Sequence, residues 1–309
     1  MKHLFIINPA AGKYDKTGEI TQKVRKACDK RCLAYEVLVS RQAGDCQKLA
    51  QAAAATGDPV RIYACGGDGT LNEIINGVIG QPNAAVTHFP AGSGNDFIKL
   101  FSDPTAFCDV GRLIDGEVAR FDLIRCLDEH YALNICSMGF DARIGTSISK
   151  YKRLPLLSGS GAYILSTGVN LIKGIQQHYV IELDGERIDG RQSLICIANG
   201  RWYGGGFNPV PEAEPDDGLL DVLIVKGVSR LTVANVIGKY KAGKHAELGD
   251  IIRHRRCKSI TIHCDKPAEI NLDGELLYAR DVTFEVVPQA VRFFYPKGLT
   301  YHAAVSASV

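Results

Sequence analysis

The sequence predicts an α/β domain followed by a mainly antiparallel β domain. In the first third of the chain, apolar strand-like runs alternate with segments whose apolar residues recur at helical spacing. That alternation is typical of a parallel sheet covered by helices. From Arg120 onward, strand-like runs dominate, and Asp-Gly turns separate several of them, as at Asp184-Gly185, Asp189-Gly190 and Asp273-Gly274. This second pattern is typical of an antiparallel sandwich or barrel.

In the first part, each predicted strand is followed by a predicted helix or a turn. Strands are predicted at residues 4–8, 35–39, 60–65 and 84–90. Helical spacing of apolar residues predicts helices that begin near Ile20, Cys46 and Leu71. This order favours a parallel sheet, since parallel neighbours need a crossover connection.

The second part contains mostly strands. They are predicted at residues 121–126, 131–136, 179–183, 193–198, 219–225, 259–263, 268–272, 282–287 and 291–295. Helices are predicted near residues 162–175 and 231–242. No low-complexity linker separates the two parts.

Composition narrows the class of protein. A length of 309 residues favours two domains, and 46% apolar with 23% charged residues is typical of a globular chain. The 36 basic and 34 acidic residues leave a net charge of +2, so we expect no nucleic-acid partner. We expect neither a signal peptide nor a membrane span, and hence a cytoplasmic protein.

Cysteine and histidine spacing predicts no metal centre. We interpret the ten cysteines as buried free thiols, because no CxxC pair occurs. The eight histidines form neither HxxxH nor HExxH, so the spacing predicts no histidine metal site.

Three turns of small residues follow predicted strands. Because carboxyl ends of parallel strands share one sheet edge, we expect these turns to lie close together. Their glycines let backbone N–H groups approach an anion, and a following helix N-terminus favours negative charge. Together they predict a phosphate-rich ligand, although each turn alone could be an ordinary connection. The turns are Asn8-Pro9-Ala10-Ala11-Gly12-Lys13, Gly66-Gly67-Asp68-Gly69-Thr70 and Pro90-Ala91-Gly92-Ser93-Gly94-Asn95-Asp96.

Acidic residues in glycine-rich turns are candidates for chemistry. Asp68 would repel a phosphate unless magnesium lay between them; the alternative is a turn aspartate that accepts backbone hydrogen bonds. Asp217 could bind a hard cation with nearby carbonyls, or lie in a surface Asp-Gly turn. Asp273 and Glu275 flank a glycine, so Glu275 is a candidate general base unless the segment is an ordinary hairpin.

Three basic clusters also carry an aromatic or imidazole ring. Each could be a solvated surface or a contact with anionic lipid headgroups. They are Lys150-Tyr151-Lys152-Arg153, Lys239-Tyr240-Lys241 with Lys244-His245, and Arg253-His254-Arg255-Arg256.

The ordered set of motifs resembles the soluble bacterial diacylglycerol kinase family, which is related to sphingosine, ceramide and NAD kinases. The resemblance spans nearly the whole chain, and the GGDGT stretch with its Leu-Asn-Glu extension is its most specific part. The matching motifs are the turn at residues 8–13, Gly66 to Glu73, Gly92 to Phe97, Tyr203-Gly204-Gly205-Gly206, Asp217-Gly218-Leu219-Leu220-Asp221 and Asp273-Gly274-Glu275.

The resemblance implies an NAD kinase-like α/β nucleotide-binding domain and a β-sandwich domain. Chain ends in the family return to the first domain. We therefore expect residues 1–120 with 296–309 to form the ATP-binding domain, and residues 121–295 to form the lipid-substrate domain.

The resemblance also implies roles for individual residues. Glu275 is the implied proton acceptor, with Asp273 beside it, and Asp68 and Asp122 are implied acids of the metal network. Asp217 is the implied magnesium ligand, with main-chain oxygens at Glu214 and Leu219. The implied ATP contacts are Asn8, Pro9, Ala10, Ala11, Gly12, Lys13, Ser40, Gly66, Gly67, Asp68, Gly69, Thr70, Leu71, Asn72, Glu73 and Ser93.

The implied activity is ATP- and magnesium-dependent transfer of the γ-phosphate to a lipid hydroxyl, with diacylglycerol as the preferred acceptor. One alternative is a kinase for a sphingoid base, another glycerolipid or NAD; another is a nucleotide-binding regulator without turnover. We expect a lipid substrate at the membrane surface, and transient electrostatic contact with the anionic inner face. The oligomeric state stays open, with a homodimer as one alternative.

Overall fold

The computed structural model describes residues 1–127, 129–139 and 175–303, which divide into two compact units. The first unit comprises Met1–Leu123, Glu214–Asp217 and the C-terminal residues from Val287. The second comprises the described residues of Ile124–Ala213 and Gly218–Val286. The domain boundaries at residues 120 and 296 stay a prediction, and the structure adds that Glu214–Asp217 belongs to the first unit.

The first unit alternates strands and helices. Short 3-10 helices occupy Phe97–Leu100 and Pro104–Cys108. Its other elements are β1 (Lys2–Ile7), α1 (Thr17–Asp29), β2 (Tyr35–Val39), α2 (Asp45–Ala54), β3 (Val60–Gly66), α3 (Asp68–Val78), β4 (Ala84–Pro90) and α4 (Val110–Ile114).

The second unit consists mainly of strands. Strand β5 (Glu117–Cys126) enters it, and β13 (Glu275–Tyr295) leaves it for the first unit. The elements between are β6 (His130–Ala132), β7 (Ile135–Gly139), β8 (Gln177–Leu183), β9 (Glu186–Ala198), β10 (Leu220–Lys226), α5 (Arg230–Lys241), a 3-10 helix (His245–Leu248), β11 (Ile252–Cys257) and β12 (Ser259–Leu272).

The sheet of the first unit is parallel, as predicted. Strand β1 pairs with β2 and β3, and β3 pairs with β4. Phe293, near the end of β13, pairs with Val86 of β4 in the same direction. The register sets Ile7 beside Val39, and Gly66 beside Pro90, so the four carboxyl ends lie at one sheet edge. Ligands of open parallel sheets bind at this edge.

Apolar residues explain why this sheet forms. Strand β1 is buried from His3 to Ile7 because helices cover both faces of a parallel sheet. Helix α1 buries Ile20, Val24 and Cys28 on one face, at the spacing that predicted it. At the sheet centre, the rings of Phe5 and Tyr63 stack with 3.9 Å between centroids.

The strands of the second unit pair antiparallel, as predicted. Strand β9 pairs with β8 through its first half and with β7 through its second half. Strand β12 pairs with the same two strands in the same way, and with β13. Strand β10 lies between β9 and β11. Alternate residues of β9 and β10 enter two separate apolar cores, which explains their continuous apolar runs.

Several element boundaries differ from those predicted. The strand predicted at residues 131–136 is interrupted at Leu133 and Asn134, whose N–H groups bond a carboxylate instead of a neighbouring strand. Strands predicted at residues 259–263 and 268–272 form the single strand β12, with irregular register between His263 and Ala268. Likewise, those predicted at 282–287 and 291–295 both belong to β13. Strand β11 was missed because its sequence is dominated by charged side chains.

The predicted helix at residues 231–242 is α5, whereas residues 162–174 lie outside the described part of the chain. Among the described residues, no helix is both long and apolar enough to cross a membrane. All ten cysteines lie among the described residues, and none of them forms a disulfide. Eight are buried as predicted, whereas Cys32 and Cys108 are exposed.

Candidate active site

The three predicted small-residue turns meet at the carboxyl edge of the parallel sheet. The N–H groups of Ala91 and Gly92 donate to the Gly66 carbonyl at 2.8 and 3.0 Å. The Asn8 N–H donates to the Cys65 carbonyl at 3.0 Å. These backbone bonds continue the sheet pairing into the turns and hold all three in one cluster.

Glycine is required where the turns approach one another. A Cβ on Gly92 would lie 2.5 Å from the Cα of Gly67. Gly12 has φ +86°, and a Cβ there would lie 2.6 Å from the Ala91 carbonyl oxygen. Any side chain would therefore push the turns apart. The close packing leaves a surface of main chain, which fits a phosphate-bearing ligand such as ATP.

Helix α3 begins inside this cluster. Its N-cap is Gly67, which has an extended backbone and no side chain to cap the first N–H groups. An anion at this end would be favoured by both the N–H groups and the helix dipole. The Asn8 side-chain amide donates to the Thr70 hydroxyl at 3.0 Å, which fixes the first turn against α3.

A hydrogen bond of Asp68 connects the second turn to the third. Its carboxylate accepts the Asp96 N–H at 2.5 Å, and a Cβ on Gly94 would lie 2.7 Å from its other oxygen. Asp96 is buried and forms an ion pair with Lys99. Asp68 is therefore an acceptor of backbone hydrogen bonds, which was one of the two interpretations of its sequence. A role in a metal network stays a prediction.

His88 supports the second turn from within the sheet. Its Nε2 lies 3.0 Å from the Gly66 carbonyl, so that nitrogen carries the proton and donates. Complete burial lowers the pKa of His88, against the opposing effect of the Asp68 charge. The ring is therefore a neutral donor that holds the same carbonyl as Ala91 and Gly92.

The other predicted nucleotide residues lie on or beneath this cluster. Pro9, Ala10, Ala11 and Lys13 belong to the turn after β1, and Lys13 is exposed. Ser40 is buried at the end of β2, and its N–H donates to Ile7. Gly69 and Ser93 are exposed, whereas Leu71 and Asn72 are buried; Glu73 accepts the Cys46 N–H at 3.2 Å. Contact of these residues with ATP stays a prediction.

Asp273 in the second unit is an anchor for a neighbouring connection. Its carboxylate accepts the N–H groups of Leu133, Asn134 and Ile135 at 2.7, 2.9 and 2.8 Å. It therefore fixes the β6–β7 connection against the β12–β13 turn. Glu275 opens β13 with an exposed side chain. The structure thus gives the two acids different surroundings, and only Glu275 lies open to solvent.

The residues predicted to bind magnesium lie in and after Glu214–Asp217. The Glu214 carboxylate accepts hydrogen bonds from the Ala303 N–H and from His302 Nδ1, the latter at 3.1 Å. Asp216 accepts from the Tyr301 hydroxyl at 2.9 Å. Asp217 is exposed, and Leu219 follows it at the start of the second unit. Carboxylate and carbonyl oxygens are the ligands that magnesium prefers, so the donor chemistry fits this ion.

Two family descriptions match the chain. "Diacylglycerol kinase catalytic domain" matches residues 2–126. "YegS C-terminal NAD kinase beta sandwich-like domain" matches residues 134–295. The chain belongs to the diacylglycerol kinase family. As a member of this family it is a lipid kinase, and its second unit corresponds to the sandwich-like domain.

Individual relatives agree with this family. "Putative lipid kinase SAS0691" from Staphylococcus aureus strain MSSA476 is 27% identical over 281 residues, covering 89% of this chain and 90% of the relative. A crystal structure described as "a putative diacylglycerol kinase" from Bacillus anthracis strain Sterne has a TM-score of 0.76 at 24% identity. The match covers 97% of this chain and 98% of that chain. At such identity, the crystal structure supports the fold of this lipid kinase.

Sequence reasoning missed two supporting residues of this lipid kinase. Asp96 was noted only as a member of a turn and a motif, although its N–H donates to the Asp68 carboxylate and its side chain pairs with Lys99. His88 lies inside an apolar strand, and nothing in its spacing signals that it reaches a turn carbonyl. Asp96 could have been suspected from its place in the Gly-Asn-Asp motif.

Proposed function

We propose that this lipid kinase transfers the γ-phosphoryl group of ATP to the hydroxyl of diacylglycerol, giving phosphatidic acid. The observation that carries the proposal is the cluster of three glycine turns around the open N-terminus of α3. A phosphate-binding surface of this kind suits the family's phosphoryl transfer, which depends mostly on positioning and electrostatics. The description of the similar crystal structure as a putative diacylglycerol kinase supports diacylglycerol as the acceptor.

The first unit would hold the nucleotide. The first N–H groups of α3, and those N–H groups of the other two turns that do not already bond a carbonyl, would bind phosphate oxygens. Lys13 would contribute positive charge. Asp217, with main-chain oxygens of Glu214 and Leu219, would hold magnesium, which when bound supplies positive charge that offsets the local carboxylates.

Glu275 would accept the proton of the lipid hydroxyl as the hydroxyl oxygen attacks the γ-phosphorus, whose bond to the β,γ-bridging oxygen breaks so that ADP leaves. Asp273 would act through the turn it anchors, because its carboxylate already accepts three backbone N–H groups. We therefore assign Asp273 a positioning role, and assign proton transfer to Glu275.

The experiment supplies radiolabelled ATP and magnesium together with a panel of acceptors. Micelles would contain diacylglycerol, another glycerolipid or a sphingoid base, and NAD would be offered in solution. The proposal predicts label in phosphatidic acid, and its loss in Glu275→Gln. Preferential labelling of another acceptor would contradict diacylglycerol as the substrate. Absence of label in every acceptor, with ATP still bound, would favour a regulator without turnover.

We also propose that the protein visits an anionic membrane surface to reach its lipid. The predicted cluster at Lys150, Lys152 and Arg153 lies outside the described residues. In the cluster at residues 239–245, Lys239 and Lys244 pair with Glu247 at 3.0 and 3.7 Å, which weakens its attraction for headgroups. The proposal therefore rests on the first cluster, at about 1 kcal/mol per cation near an anionic leaflet.

Vesicle sedimentation tests this membrane contact. We expect binding to anionic vesicles that weakens with salt, and little binding to neutral vesicles. Replacing Lys150, Lys152 and Arg153 together by Gln should reduce binding, whereas replacing Lys239, Lys241 and Lys244 should change it less. Equal binding of all variants to both vesicle types would refute electrostatic docking without affecting the kinase assignment.

A further inference from the structure

Two histidines that lie nine positions apart in the sequence meet in the second unit. His245 opens the 3-10 helix after α5, and His254 lies in β11. Their rings are nearly perpendicular, at 78°, with 5.1 Å between centroids. Glu212, which precedes β10, reaches both rings. The three residues lie on three different segments of one unit.

The outer hydrogen bonds of the two rings fix which nitrogens carry protons. His245 Nδ1 lies 3.0 Å from the Pro209 carbonyl oxygen, which can only accept. His254 Nε2 lies 2.7 Å from a carboxylate oxygen of the buried Asp221. Both of these nitrogens therefore donate. In the neutral rings, the remaining nitrogens carry lone pairs.

Those lone pairs point toward a carboxylate. Glu212 Oε1 lies 2.9 Å from His245 Nε2 and 3.6 Å from His254 Nδ1. Three electron-rich atoms at these separations repel one another unless a cation lies among them. A proton on His245 is one such cation, and the Glu212 hydrogen bond does raise the pKa of His245. A metal ion would satisfy both rings at once, which a single proton cannot.

We propose that Glu212, His245 and His254 form a zinc site. Zinc takes two histidine nitrogens and one carboxylate oxygen in known protein sites, with bonds of about 2.0–2.2 Å. Tetrahedral bonds of that length separate neighbouring ligand atoms by about 3.3 Å, close to the two distances in this cluster. All three ligand atoms lie within 4.8 Å of one another.

The surroundings have the features that metal-binding histidines need. Such histidines usually donate their second N–H to a carbonyl or carboxylate, as His245 does to Pro209 and His254 does to Asp221. Arg256 Nε lies 3.4 Å from the same Asp221 oxygen and helps to balance its charge. The Glu212 side chain is 44% exposed, so an ion can enter from solvent. The ion would fix the 3-10 helix against β11 and against the segment that contains Glu212.

Metal binding is the direct test. Chelator-treated protein would be titrated with zinc in excess magnesium, so that sites that prefer oxygen ligands are occupied. We expect about one zinc per chain, and a rise in melting temperature. Glu212→Gln and His254→Gln should each weaken zinc binding by about tenfold or more. His263→Gln is the matched control, because His263 is also a half-exposed strand histidine paired with a carboxylate, Asp281.

Cobalt substitution identifies the ligands. Cobalt bound to imidazole and carboxylate should show visible bands without the near-ultraviolet thiolate band that the exposed Cys32 or Cys108 would produce. Unchanged zinc affinity in folded Glu212→Gln would overturn the site. So would a thiolate band at the first equivalent, or no zinc binding by wild-type protein above neutral pH. Failure of the wild-type protein to bind zinc would mean that a proton, and not a metal ion, lies between Glu212 and His245.

Discussion

Asp68 in the first unit and Asp273 in the second share a sequence signature but have different tasks. Both precede a glycine, and the family resemblance gives both a part in the chemistry. Asp68 begins a helix and accepts the N–H of Asp96, and this hydrogen bond joins the second and third small-residue turns. Asp273 lies in a hairpin at φ +48° and accepts three N–H groups of another connection. An Asp-Gly pair can therefore lie at a helix start or in a hairpin, and only the hydrogen-bond partners reveal what the carboxylate holds.

The two regions also differ in what they offer a ligand. In the first unit, the turns present main chain, and their side chains mostly hold the turns together. In the second unit, the backbone N–H groups next to Asp273 already bond its carboxylate. A ligand there would instead meet the exposed side chain of Glu275. Substitutions in the first region should therefore act through geometry, whereas those at Glu275 should act through chemistry.

The largest expected effect is that of Glu275→Gln. This change keeps the size of the side chain and removes the base, so turnover should fall about 10²–10⁴-fold. ATP affinity and melting temperature should change little, because Glu275 is exposed. Single-turnover kinetics together with ATP titration measure both quantities. Near-normal turnover would show that Glu275 is not the proton acceptor.

The next effect is that of Gly92→Ala. The added methyl would lie 2.5 Å from the Gly67 Cα, so the second and third turns must separate. Displacement of about 1 Å at a site that positions substrate can cost about 10² in rate. Gly238→Ala is the control, because a Cβ at Gly238 meets no atom within 4 Å and Gly238 lies in α5, outside the turn cluster. Comparable kcat/KM for both variants would contradict the importance of this close approach.

The sequence predicted the first region better than the second, for a physical reason. The spacing of apolar residues is enough to predict a parallel βα unit. It therefore predicted the strands before Asn8, Gly67 and Ala91, and it predicted that the turns after these strands meet. The anchoring of Leu133 by Asp273 joins residues that are 140 positions apart, and no local pattern encodes it. The Glu212 cluster is similar, because Glu212 lies 33 positions before His245 and 42 positions before His254, at spacings that match no metal motif.

Asp273→Ala should have a smaller effect, on stability. It removes the acceptor of three backbone N–H groups and also places alanine at positive φ. Asp184→Ala is a matched control, because Asp184 precedes a glycine in a hairpin at φ +46° and is exposed. Relative to that control, Asp273→Ala should lower the free energy of unfolding by about 2 kcal/mol. Chemical denaturation measures the difference, and equal losses would mean that the anchor contributes nothing.

The smallest expected effect is a loss of folding stability at acid pH, caused by His3 in the first unit. His3 is 3% exposed, and its ring bonds the Tyr63 hydroxyl at 2.7 Å. Burial, with the Arg61 and N-terminal charges, lowers the pKa of His3 to about 4. His3 therefore becomes protonated near pH 6.5 in the unfolded chain but only near pH 4 in the folded protein. Stability from this group is complete above pH 6.5 and is lost as the pH falls through that interval.

His3→Gln should therefore reduce the slope with which the free energy of unfolding falls as the pH is lowered. At pH 5.5 the wild-type histidine should cost about 1.4 kcal/mol of stability relative to neutral pH, and the glutamine should not. The variant can lose stability at every pH through its altered packing, so the slope between pH 7 and 5 is the quantity to compare. His263→Gln, at a half-exposed histidine of the second unit, is the control. If both variants keep the wild-type slope, the acid sensitivity must arise elsewhere, and buried His88 is the next group to replace because burial lowers its pKa too.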